Sequence, residues 1–133
     1  MKCKLTPELS SGDWKDFCSR FHFASTDLPH IQAIYTALLP LVECYAYYSL
    51  DQDLDEVSLS HYAYGFVTLG TGLDELSELY LNHEQIQEAY IVDCISLVLL
   101  SKAYEAFAHV VENQTNLHLA ELSFLGDTYS LDL

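Results

Sequence analysis

Between Tyr90 and Leu100 the chain reads Tyr-Ile-Val-Asp-Cys-Ile-Ser-Leu-Val-Leu-Leu. Apolar side chains there occupy nearly every angular position of a helix, where a surface helix would show only a stripe. The pattern predicts a long buried helix over about 84–113, opened by Glu84 and covered on several sides by the rest of the chain. Upstream the period changes. Trp14, Phe17, Cys18 and Phe21 fall at i, i+3, i+4 and i+7, predicting a short helix within 6–23 that Ser10, Ser11 or Asp13 could cap. Asp27 reads as the N-cap of a second helix with Pro29 in its first turn and Ile31, Ile34, Tyr35, Leu38 and Leu39 on its apolar face. Pro40 ends it.

Two aromatic-rich runs, 42–50 and 61–69, break helical periodicity and predict strands. In the second, Val67 and Leu69 face one way, Phe66 and Thr68 the other. Gly70-Thr-Gly72 then turns the chain into a helix over 73–81 that buries Leu73, Leu76, Leu79 and Tyr80. A glycine turn ahead of a helix can cradle phosphate, but Asp74, Glu75 and Glu78 already complement the helix dipole, which favours a plain tight turn. Val57–Leu59 reads as a short strand or connector. The tail from Leu117 could add one more strand, with a turn at Gly126-Asp127.

Composition narrows the partners. One domain over 1–133 is expected, long enough to bury a core without staples. Twenty acidic against five basic residues give a formal charge of −15, which repels phosphate backbones and anionic lipid and favours a partner with a basic surface. Neither nucleic acid nor membrane is expected as a partner, and the apolar runs fall short of the ~20 residues of a bilayer span. Cys3, Cys18, Cys44 and Cys94 are dispersed, which fits reduced thiols and a cytoplasmic location better than a zinc site. Asp51-Gln-Asp-Leu-Asp copies the opening of a calcium loop. Glu56 and Tyr62 then stand where its glycine and bidentate glutamate are required, so no metal site is expected.

Chemistry-bearing candidates are few. Asp93 lies among Tyr90, Ile91, Val92, Cys94 and Ile95, and a buried carboxylate there would need donors or a proton. A structural aspartate tying this helix to a neighbouring turn is favoured over a functional acid. Cys94, mid-helix among aliphatics, reads as an inert core thiol. No Gly-x-Ser-x-Gly or His-Glu-x-x-His occurs, and the six histidines are dispersed, so no catalytic residue is assigned. Tyr45, Tyr47, Tyr48, Tyr62 and Tyr64 could stack a flat ligand, but a cross-strand aromatic ladder is preferred.

Thr68-Leu-Gly-Thr-Gly-Leu-Asp74, followed after a short helix by Glu88-Ala-Tyr-Ile-Val-Asp93, resembles the activation domain of vitamin B12 (cobalamin)-dependent methionine synthase and its small stand-alone relatives. The similarity spans roughly residues 28–127, with Thr68, Gly70, Asp74 and Asp93 as its motif positions. It implies an α+β fold with a twisted antiparallel sheet and helices packed against it. It also implies S-adenosylmethionine as ligand, a cobalamin-carrying domain as partner, and reductive remethylation of inactive cobalamin as the setting.

The likeness breaks near the C-terminus. There the family carries an arginine and a Pro-Gly-Tyr segment that hold S-adenosylmethionine, and this chain has Glu121-Leu-Ser-Phe-Leu-Gly-Asp-Thr-Tyr129, matching at most Ser123, Gly126 and Asp127. A carboxylate at Glu121 repels the ligand carboxylate that a guanidinium would pair. Glu121, Ser123, Gly126, Asp127 and Tyr129 are the positions that would line the altered site. The expectation is an activation-domain-like accessory protein, not catalytic on its own within a methyltransferase context, whose S-adenosylmethionine site is degenerate and which meets cobalamin only through a partner. Two alternatives stand beside it: a domain that still binds S-adenosylmethionine, and an acidic interaction module unrelated to cobalamin.

Overall fold

Helices and a small antiparallel sheet divide the chain, as an α+β reading requires. The structure, a computed structural model, describes residues 1–52 and 61–115. Its elements run β1 (Lys2–Lys4), α1 (Ser11–Arg20), α2 (Leu28–Leu38), β2 (Tyr45–Gln52), β3 (His61–Thr68), α3 (Gly72–Asn82) and α4 (Ile86–Thr115). The sheet order is β1-β2-β3, antiparallel throughout, with Lys2 opposite Tyr47, Lys4 opposite Tyr45, and Tyr45 opposite Thr68. β1 was not anticipated. Three residues, Lys-Cys-Lys, are too short for alternation to show, and their strand character comes from pairing with β2. Of the polar run Asp51–Glu56, Asp51 and Gln52 continue β2 rather than turn, because they pair with Tyr62 and His61 of β3; the rest of that run, Val57–Leu59 and the tail strand with its Gly126-Asp127 turn lie outside the described residues.

α1 starts where serine can satisfy free N–H groups. Ser10 Oγ accepts from Asp13 N at 3.4 Å and the Asp13 carboxylate accepts from Ser10 N at 2.6 Å, a reciprocal capping box. Asp13 also pairs with Lys102 of α4 at 3.1 Å. The Ser10 backbone donor first, and Lys102 after it, hold the Asp13 carboxyl below its ordinary value. A depressed carboxyl contributes stability that is present above the unfolded pKa of about 3.9 and is lost as pH falls through the lower folded value. Asp13→Asn is therefore expected to be less stable than wild type at pH 7 and to close that gap in acid. Urea midpoints from pH 7 downwards check this; a gap that stays constant would show that charge at Asp13 contributes nothing.

Asp27 takes the N-cap position of α2 as expected, but its side chain makes no cap hydrogen bond there. Its carboxylate accepts instead from Ala24 N at 3.1 Å, closing the short 3-10 turn Ser25–Asp27, while Pro29 takes the first turn of α2 as expected. α2 ends at Leu38, and Pro40 sits in a 3-10 turn over Leu39–Leu41. α3 closes with Glu84 in the left-handed region (φ 59°) and Gln85 N donating to Tyr80 O at 2.8 Å. Glu84 thus terminates one helix rather than opening the next, and α4 begins at Ile86.

Two apolar clusters share α4. One joins Trp14 and Phe17 of α1, Ile31, Ile34 and Leu38 of α2, and Leu73 of α3 to Ile91, Val92, Ile95 and Leu99. The other seats Cys44, just ahead of β2, Ala46 and Tyr48 of β2, and Val67 and Leu69 on Ala103 and Phe107. Val67 and Leu69 face α4 while Phe66 points away at 62% exposure, matching the alternation read from the sequence. Cover from α1, α2, α3 and the sheet leaves one stripe of α4 open: Ile86, Tyr90 and Leu97 are 70%, 47% and 54% exposed, Tyr90 being covered in part by the Phe23 ring at 5.6 Å. Leu79 of α3, read as buried, is likewise half exposed, and Ser77 takes the buried position. No helix among the described residues is long and apolar enough to cross a membrane.

Candidate functional site

Gly70 and Gly72 shape the passage from β3 into α3. Gly70 adopts φ +83°, a left-handed backbone that glycine enters without steric cost, and its N–H donates to Thr68 Oγ1 at 3.0 Å. Gly72 lies so close to the Leu39–Leu41 turn that a Cβ would stand 2.7 Å from Leu41 O. The turn therefore brings α3 in tightly and sets Thr68, Gly70 and Asp74 along one rim.

Across from this rim runs α4. A cleft of about 460 Å³ opens between them, with Val67, Leu69, Leu73, Leu97 and Leu100 as apolar lining and Asp74, Asp93 and Ser96 among its polar groups. Thr68, Gly70, Asp74 and Asp93, the four motif positions picked from the sequence, all line it. Asp93 is exposed, on the outer stripe of α4 with Ile86, Tyr90 and Leu97, and accepts from Ser77 Oγ at 2.9 Å. It ties α4 to helix α3, where a tie to a turn was expected. Neither Asp74 nor Asp93 forms an ion pair among the described residues. The cleft thus offers two carboxylates beside apolar surface, a setting for a cation on an apolar stem.

Ser77 and Ser96 escaped the sequence reading. Ser77 stands four residues after Leu73, on the buried face of α3, and a lone hydroxyl at such a position is the signal that could have found it. With Asp93 exposed, removing it should cost little. Asp93→Asn is expected to match wild type closely and Asp93→Leu to lose at most about 1 kcal/mol, chiefly from the Ser77 hydroxyl left with a poorer acceptor, Ala89 O at 3.5 Å. Denaturant midpoints check it; a loss of several kcal/mol for Asp93→Leu would mean the carboxylate holds more than one hydroxyl.

Other candidates separate. Cys94 is buried, and desolvation pushes its thiol above the ordinary value, as it does for Cys44; both are poor nucleophiles. The tyrosines divide between the two faces of the sheet. Tyr48 points inward, its ring edge-on to Phe107 at 5.2 Å and its hydroxyl donating to Gln114 Oε1 at 2.8 Å, while Tyr47 stacks on Phe66 at 5.0 Å on the open face. The latter is the cross-strand pairing expected, and the side chains of Tyr62 and Tyr64 lie outside the described residues. Among the described residues no group of His, Cys, Asp and Glu is arranged to hold a metal. Glu121, Ser123, Gly126, Asp127 and Tyr129 also lie outside them. No family model matches the chain, and no curated protein does.

Proposed function

We propose that this chain is an accessory protein of cobalamin-dependent methyl transfer in the cytoplasm. It docks a cobalamin-carrying partner at the cleft between the 68–74 turn and α4, and performs no catalysis of its own. One observation carries the reading: Thr68, Gly70 and Asp74 of the first segment on which the resemblance rests, and Asp93 at the end of the second, line a single cleft, and Ser77 ties Asp93 to α3. The chemistry of that cleft suits a lysine, arginine or protonated histidine of the partner, whose stem covers Leu97 and Leu100 while its charge meets Asp74 and Asp93. A chain carrying −15 would also steer a basic docking face toward it.

Calorimetry of the full chain against a corrinoid-binding protein tests this. Binding is expected to weaken as salt shortens the Debye length from ~10 Å at 0.1 M to ~3 Å at 1 M. Asp74→Lys combined with Asp93→Lys should weaken it about tenfold or more, since two attractions become repulsions. No complex with any corrinoid protein, from a chain that melts cooperatively, would sink the proposal and leave an acidic interaction module. S-adenosylmethionine should bind weakly or not at all, because Glu121 replaces the family's arginine. A micromolar dissociation constant would instead restore the ligand-binding reading, with Glu121, Ser123, Gly126, Asp127 and Tyr129 the positions to mutate.

A further inference from the structure

The face of the sheet turned away from α4 concentrates what the rest of the chain lacks. Antiparallel register aligns two rows across it: Lys2, Tyr47 and Phe66 in one, Lys4, Tyr45 and Thr68 in the next. Two of the chain's five basic residues therefore stand side by side on one surface, in a chain that carries twenty acidic residues. Neither lysine is in an ion pair among the described residues. Lys2 Nζ rests 4.3 Å from the centre of the Tyr45 ring and 5.5 Å from that of Tyr47, so the ammonium is held over the sheet rather than trailing in solvent. Phe66 stacks on Tyr47 at 24° between planes and is 62% exposed, which leaves part of its ring open. A shallow cavity of about 490 Å³ is lined by Lys2, Lys4, Tyr45, Tyr47 and Thr68, with Glu43 the one carboxylate among its lining residues.

We infer that this face binds a small planar anion, an aromatic ring system bearing one phosphate or carboxylate. The ring lies on the Phe66–Tyr47 stack and the anionic group meets Lys2 and Lys4. Size decides between this and a longer polyanion. The two rows span about 7 Å along the strands and about 10 Å across them, room for one fused ring and its charged group. A nucleic-acid strand would run off the patch into a surface of net negative charge. The exposed aromatic and the uncompensated lysines, awkward for stability alone, are complementary to one ligand of this kind.

Adenosine monophosphate is the probe, titrated into the full chain with backbone amide NMR shifts as readout. Saturable shifts are expected at residues 2–4, 45–47 and 66–68. Adenosine and inorganic phosphate should each bind about tenfold more weakly, since each lacks one of the two attractions. Lys2→Gln with Lys4→Gln should weaken the nucleotide by a similar factor while the remaining amide shifts stay in place, as should Phe66→Ala. The inference is overturned if adenosine binds as well as its phosphate, if the shifts appear elsewhere, or if the variants bind unchanged. A short single-stranded oligonucleotide binding more tightly than the mononucleotide would overturn it in favour of a nucleic-acid platform. The face shares only Thr68 and Gly70 with the cleft, so its failure leaves the docking proposal standing.

Discussion

Replacing Gly65 with valine should lower stability by about 3 kcal/mol or more, at or beyond the upper end of ordinary overpacking costs. Gly65 pairs with Tyr48 across the β2–β3 ladder. A Cβ on it would overlap the carbonyl oxygen of Tyr47 and stand 2.7 Å from Tyr48 Cα and 2.8 Å from Tyr48 Cβ. Gly65 is not in the left-handed region, so the objection is lack of space, not backbone strain. The obstructing atoms are mostly backbone, which cannot rotate aside, so the strands must part where Tyr47 and Tyr48 hold both faces of the sheet. Against a total stability on the order of 5–15 kcal/mol, such a loss is large. Gly12→Ala is the control. A Cβ there meets only Ser10 Oγ at 3.9 Å, and alanine favours a helix over glycine by roughly 0.5–1 kcal/mol. Denaturant midpoints for the two variants should move in opposite directions; Gly65→Val within about 0.5 kcal/mol of wild type would refute the close approach.

Why some features could be read from sequence and others not follows from the range of the forces involved. Helical period and strand alternation are local, so α1, α2, β2, β3 and α3 emerged within a few residues of their observed ends. Pairing is not local, and β1 stayed invisible for that reason. The saturation of 90–100 with apolar residues points to cover on several sides, and α1, α2, α3 and the sheet supply it. Yet apolar side chains are common on protein surfaces, and Tyr90 and Leu97 are exposed. Asp93 makes the hydrogen bond of a structural aspartate, to Ser77, but its exposure is hidden by its buried sequence neighbours, because on a helix its spatial neighbours are Tyr90 and Leu97, three before and four after. The motif residues Thr68, Gly70, Asp74 and Asp93 were picked individually. Their convergence on one cleft depends on the close approach at Gly72, which no spacing rule contains.

The two proposed surfaces divide the chain's charge between them. Among the described residues the carboxylates of the cleft and the lysines of the open sheet face form no ion pairs, although Glu43 lines the sheet-face cavity beside the lysines. Both sit on elements whose opposite sides are anchored by apolar burial, β2 and β3 by one cluster and α3 and α4 by the other. Substitutions at either surface should therefore report on binding with little penalty in folding, and substitutions in the clusters should do the reverse.

Phe17→Ala should show that reverse most sharply, with a loss of about 3–5 kcal/mol. Phe17 is 1% exposed and contacts three other rings: Trp14 at 5.5 Å edge-on, Phe21 at 4.9 Å, and Phe23 at 5.8 Å with the planes nearly parallel. Trp14 continues the contacts to Tyr35 of α2 at 5.1 Å, and Phe23 continues them to Tyr90 of α4 at 5.6 Å. Alanine would leave a void bounded by the rigid rings of Trp14 in α1 and of Phe21 and Phe23 just after it, and rings close such a void less readily than flexible aliphatic chains do. Tyr35 adds a second tie, its hydroxyl accepting from Leu9 N at 3.0 Å. Phe66→Ala, by contrast, should cost under about 1 kcal/mol, because most of that ring already faces water. Urea unfolding of the two variants side by side tests the division. Equal losses would mean that the open-face aromatic row holds the sheet together, and that its exposure is no sign of a binding surface.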